Sequence, residues 1–114
     1  MNTTSLKILG IISVFLGELF AVYAETFGVR QQLFSSGFWK IVLFMTIGGI
    51  LLVMGYILGY KGYQNLWIVT VVSITTLLIA EPLVIYIFFN QIPTTGALIG
   101  FILGILGLIA AIFF

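Results

Sequence analysis

The sequence contains no cysteine and no histidine. The first absence excludes disulfides, thiolate metal sites and cysteine nucleophiles. The second removes the commonest general base and metal ligand at neutral pH. Charge is almost missing as well: only 6% of the 114 residues carry it, namely Glu18, Glu25, Glu81, Lys7, Arg30, Lys40 and Lys61. Soluble domains are about one-quarter charged, and a chain this short cannot hide 62% hydrophobic residues in a core of its own. Lipid is the solvent that fits. A net charge of +1 gives no footing for nucleic acid or for a polybasic headgroup patch. With so few reactive side chains no bond chemistry is expected: the chain reads as a non-enzyme without cofactor or metal.

What the sequence has instead is long apolar runs. A membrane helix needs about 20 mostly apolar residues, and four runs qualify: 8–27 between Lys7 and Arg30, 41–60 between Lys40 and Lys61, 66–89, and 96–114. Asn65 is placed to cap the third, Asn90 and Gln91 follow its end, and Pro93-Thr94-Thr95 suits the start of the fourth. The connections at 31–37, 61–64 and 90–95 are short, so successive helices must be antiparallel neighbours. The expected fold is an all-α, multi-pass integral membrane bundle of four transmembrane helices, a single domain over 1–114. Val22-Tyr23-Ala24 resembles a small-residue cleavage site, but the run before it is long and interrupted by Glu18, so it reads as a retained span rather than a signal peptide.

Orientation normally follows an excess of Lys and Arg on the cytoplasmic side. Here the N-terminus and second loop carry Lys7 and Lys61, and the first loop carries Arg30 and Lys40, a balance of two against two. A chain without bias can insert both ways, which predicts dual topology and an antiparallel homodimer. The alternative is a single orientation decided by the N-terminal amine or by a partner.

Three acids fall inside these runs. Glu18 lies near the middle of the first, roughly 17 Å along the helix from either flanking charge, where an ionised carboxylate costs several kcal/mol unless protonated, paired or facing water. Desolvation disfavours its charged form, which suits an acid that loads and unloads protons during transport; the alternative is a protonated anchor bonded to a neighbouring helix. Glu25, seven residues on, shares that face but sits about 10 Å nearer the interface, where it is an interfacial charge, a partner for Arg30, or a second proton site. Glu81 precedes Pro82, which has no N–H to offer the carbonyl of Leu78; the pair is either a structural kink or part of a substrate path.

Gly96, Gly100 and Gly104 are spaced four apart in the fourth run, with Gly107 one turn on, a ridge that lets another helix approach closely. Its expected use is a subunit contact, the alternative being packing within its own bundle; Gly55 and Gly59 form a second, single pair. Tyr56, Tyr60 and Tyr63 cluster at the end of the second run, Trp39 and Trp67 stand at run starts, and most of these read as interfacial belt residues. Tyr56 lies deeper, and with Tyr60 one turn on it can present ring faces to an organic cation or simply pack.

This pattern resembles the small multidrug resistance (SMR) branch of the drug/metabolite transporter superfamily over nearly the whole chain. The shared features are four short spans, an acid in the middle of the first, balanced loop charges, Phe88-Phe89-Asn90-Gln91 at the third loop, and a glycine-spaced last span. Drug-exporting members carry a Tyr and a Trp in the third span where Thr70 and Ser73 stand here, and they lack a counterpart of Glu81. Ala80-Glu81-Pro82-Leu83 instead resembles the C-terminal halves of ten-helix EamA-type metabolite exporters. The resemblance implies an antiparallel dimer in a prokaryotic inner membrane. Glu18 of each subunit would alternately bind protons and a small, cationic organic substrate, and the fourth helices would form the dimer contact. Two such acids in one cavity would titrate as a coupled pair. The expected function is therefore proton-coupled export of small organic compounds by alternating access. Two alternatives stay open: a metabolite exporter or lipid-linked-sugar flippase subunit without proton coupling, in which Glu18 and Glu81 bind polar cargo groups, and a non-transporting membrane subunit packed against a larger partner.

Overall fold

The computed structural model describes residues 2–114 and arranges them as four α-helices. These are α1 (Thr3–Gly28), α2 (Ser36–Tyr63), α3 (Leu66–Phe89) and α4 (Thr95–Phe113). All four are long and apolar enough to cross a membrane, and the protein is accordingly an integral, multi-pass membrane protein.

Polar caps carry the helices past the apolar runs. The Asn2 side chain accepts from the Ser5 amide at 2.7 Å, which starts α1 before Lys7. Ser35 does the same for α2 through the Phe38 amide at 3.2 Å. Each such cap satisfies an otherwise orphaned donor and contributes about 1 kcal/mol. Asn65 caps α3 through the Trp67 amide at 3.0 Å. At α4 the capping oxygen belongs to Thr94, which accepts from the Ala97 amide at 3.2 Å. Between α2 and α3 only Gln64 and Asn65 remain outside a helix, and Gln64 makes the reversal in the left-handed region at φ 58°.

The interior is built from small residues and the exterior from large ones. The buried positions of α2 are Gly48, Gly55, Gly59 and Gly62; those of α3 are Val69, Ser73 and Thr76. Phenylalanine, leucine and isoleucine side chains point outward along every helix. Such an arrangement is unfavourable in water but costs nothing in lipid, where helices associate through close backbone approach rather than a hydrophobic drive.

The α1–α2 contact shows this most clearly. The two helices run antiparallel in a register that brings Lys7 to Gly62, Gly10 to Gly59, Val14 to Gly55 and Ala21 to Gly48. A Cβ added to Gly10 would lie 2.5 Å from the Gly59 amide nitrogen, and one added to Gly48 would lie 3.0 Å from the carbonyl oxygen of Gly17. The Ser13 hydroxyl adds a bond across the same contact, donating to the Leu51 carbonyl at 2.6 Å. Helix α1 also packs on α3 and is the hub of the bundle, whereas α4 touches α3 alone and buries no residue.

Candidate functional site

On α1, Gly10, Val14 and Gly17 turn towards α2, and Glu18, the next residue round the helix, turns towards α3. Glu18 is 6% exposed and Ser73, opposite it on α3, is 7% exposed. The Ser73 hydroxyl donates to Oε1 of Glu18. Thr76, one turn along α3 and also buried, spends its hydroxyl on the carbonyl of Val72 at 2.8 Å. Glu18 therefore sits inside the protein, bonded across a helix contact to a small polar residue. A carboxyl in this position can accept a hydroxyl proton when ionised and can hold a proton of its own when neutral.

The other two acids take different environments. Glu25 is exposed and Glu81 half-buried. Pro82 lies inside α3, so the Leu78 carbonyl loses its helical donor there. Arg30, weighed from the sequence as a partner for Glu25, engages α3 instead. Its Nη2 donates to the Phe88 carbonyl at 2.9 Å. Its guanidinium lies 4.2 Å from the ring centroid of Phe89 and 5.4 Å from that of Phe27.

Arg30 is the outermost member of an aromatic cap. Tyr23 meets Phe27 and Phe44 at centroid distances of 4.9 and 5.0 Å, and Phe27 meets Phe88 and Phe89 at 5.6 and 5.3 Å. These rings join the ends of α1 and α3 to the first half of α2. At the opposite end, Tyr56 is half-buried and Tyr60 exposed. The cation–π contact at this end goes to Tyr63, whose ring centroid lies 5.1 Å from Lys7 Nζ.

The glycines of α4 have almost no neighbours. A Cβ at Gly96, Gly100 or Gly107 would meet nothing within 4 Å, and one at Gly104 would meet only Leu78 Cδ2 at 3.6 Å. Among the described residues, no group of three or more acidic, histidine or cysteine side chains comes together to hold a metal ion.

Sequence reasoning named Glu18 but not its partner: Ser73 stood out only as a departure from an aromatic pattern. It also passed over Gly10, Gly17 and Gly48. Their signal was a spacing of seven on both α1 and α2, which returns a residue to nearly the same helix face every two turns. Comparison with known proteins gives no match, whether to a protein-family model, a curated protein or a solved structure.

Proposed function

We propose that the protein is a small-solute exporter of the SMR-like type, working as an antiparallel homodimer with Glu18 of each subunit as the shared proton and substrate acid. The observation that carries this reading is the placement of Glu18: an acid 6% exposed, in the middle of a membrane helix, facing protein rather than lipid. Intramembrane acids are expensive to retain and most often serve function. The open glycines of α4 support the dimer, because a single copy leaves them without a packing partner. The even distribution of basic residues between the two sides supports opposite insertion of the two copies. Proton and cationic substrate would compete for the same pair of carboxyls, and exchange only when loaded would couple their gradients.

Two observations favour other readings. Glu81 offers a second acid with no counterpart in drug exporters, which suits a metabolite or lipid-linked cargo moved without proton coupling. The Ser73 bond suits Glu18 as a structural anchor in a subunit that does not transport. Proton release from weakly buffered, detergent-solubilised protein on addition of a quaternary ammonium separates these readings. Release that disappears in Glu18→Gln supports the proposal. Transport without release favours the uncoupled exporter, and neither release nor transport favours the anchor.

A further inference from the structure

Helices α3 and α4 diverge to leave a groove of about 750 Å³. Leu77, Leu98 and Phe101 form apolar walls, Gln91 and Thr94 add polar groups to the lining, and Glu81 contributes the one acid. No lysine or arginine lines it, and neither does Glu18. The volume falls within the range of about 300–1,000 Å³ typical of small-molecule sites, which are likewise mostly apolar with a few polar groups.

We infer that this groove binds a lipophilic primary amine, with its alkyl body between α3 and α4 and its ammonium on Glu81. Charge complementarity is the first argument: an acid in apolar walls without a base beside it lacks the cation that would offset its desolvation. The second is hydrogen-bond count. An ammonium has three donors, and Leu78 and Pro82 line the same groove. The Leu78 carbonyl, which Pro82 cannot serve, is a second acceptor one turn from the carboxylate. A trimethylammonium has no N–H to give that carbonyl, so the primary amine is the better fit. Depth is the third argument. Glu81 lies eight residues before Phe89, about 12 Å along the helix from its end, too deep for a phospholipid headgroup held at the interface and within reach of a compact amine. Nor does the groove compete with a second copy for α4. Its α4 wall at Thr94, Ala97, Leu98 and Phe101 is turned roughly a third of a revolution from the stripe of Gly96, Gly100 and Gly107. The site is independent of the transport reading, since binding there requires neither Glu18 nor a dimer.

The test is photolabelling of the protein in lipid nanodiscs with a diazirine-bearing dodecylamine, compared with the corresponding trimethylammonium and alcohol. Label is expected on peptides from 77–101, and the amine should label more strongly than either analogue. Glu81→Gln should reduce labelling about tenfold, the scale of one charge-assisted hydrogen bond. Ala97→Trp, which fills the groove from the α4 side, should displace the label while leaving Glu81 in place. Label within 77–101 should be the same in Glu18→Gln, because Glu18 does not line the groove, so a failure of the transport reading would leave this result untouched. Equal labelling by the alcohol or the trimethylammonium would overturn the assignment of a primary amine. Retention of label in Glu81→Gln, or its loss in Glu18→Gln, would overturn the site.

Discussion

The Ser73 hydroxyl donates to Oε1 of the Glu18 carboxyl across the contact between α1 and α3, and both side chains are buried. The bond gives Glu18 a fixed orientation and removes part of the cost of placing an acid inside the membrane. Glutamine keeps an acceptor oxygen at the same place, so Glu18→Gln should preserve the bond and the fold while removing the titratable group. Ser73→Ala removes the donor instead and should destabilise the protein by about 1–3 kcal/mol, the usual cost of leaving a buried polar group short of a partner. Thermal unfolding in detergent measures the second effect, and pH-dependent exchange in proteoliposomes the first. Normal pH dependence in Glu18→Gln would remove Glu18 from the coupling site.

The glycines of α2 and α4 should respond differently to the same enlargement. A Cβ at Gly55 would lie 2.5 Å from Val14 Cγ2 and 2.7 Å from the Val14 amide nitrogen, whereas one at Gly100 meets nothing. Gly55→Ala should therefore push α1 and α2 apart at a cost of about 1–3 kcal/mol, as overpacking does elsewhere. Gly100→Val should leave subunit stability unchanged and lower the dimer fraction in bilayers, because branched side chains at a helix crossing sacrifice close packing. Single-molecule photobleaching counts the subunits and unfolding reports the stability. An undiminished dimer fraction in Gly100→Val would place the subunit contact on another helix.

What could be read from the sequence was whatever depends on solvent. The apolar runs made four helices legible, because only lipid accepts so few charges. The acid in the first run stood out because membrane interiors rarely hold one. Pairings between helices were not legible in the same way. Nothing local to Ser73 says that it meets Glu18, since that contact depends on how α3 rotates against α1. The aromatic cap was not legible for a related reason: Phe27, Phe44, Phe88 and Phe89 belong to three helices, and nothing in their spacing says that they meet. The glycine pattern in α4 stands out for its spacing of four, yet the tight contact within the chain lies between α1 and α2, where the Gly55–Gly59 pair works together with glycines spaced seven apart.

Arg30 should act as a latch on the end of α3. It donates to the Phe88 carbonyl and covers the ring of Phe89, so it holds the last turn of the helix to the end of α1. Arg30→Ala removes both interactions and should raise amide hydrogen exchange over 88–91 severalfold, leaving the core around Val14 and Val22 protected. Lysine offers a point charge without the planar stacking surface, so Arg30→Lys should restore exchange protection only in part. Full protection in the alanine variant would show that the aromatic contacts suffice without the guanidinium.

Loop charge provides the sharpest test of the antiparallel arrangement. The start of α1 and the end of α2 share one side and hold Lys7 and Lys61; the α1–α2 link lies on the other side with Arg30, and Lys40 stands in the first turns of α2 beside it. Because the counts balance, two added lysines on either side should decide the orientation of the whole chain. The structure also dictates where to add them. Gly62 is packed against the backbone of Lys7, and Ser35 caps α2, so substitution at either would disturb folding along with charge. Thr3 and Thr4 are exposed on one side, and Gln32 and Leu33 on the other. Thr3→Lys with Thr4→Lys should lock one orientation, and Gln32→Lys with Leu33→Lys the opposite one, as read by the accessibility of a terminal tag to an impermeant reagent. In an antiparallel dimer each locked form alone lacks an oppositely inserted partner, so its transport should fall well below that of the unmodified chain. Co-expression of the two should bring it back. Full transport by one locked form on its own would mean that the copies insert in the same direction, and the balance of charges would then have no bearing on assembly.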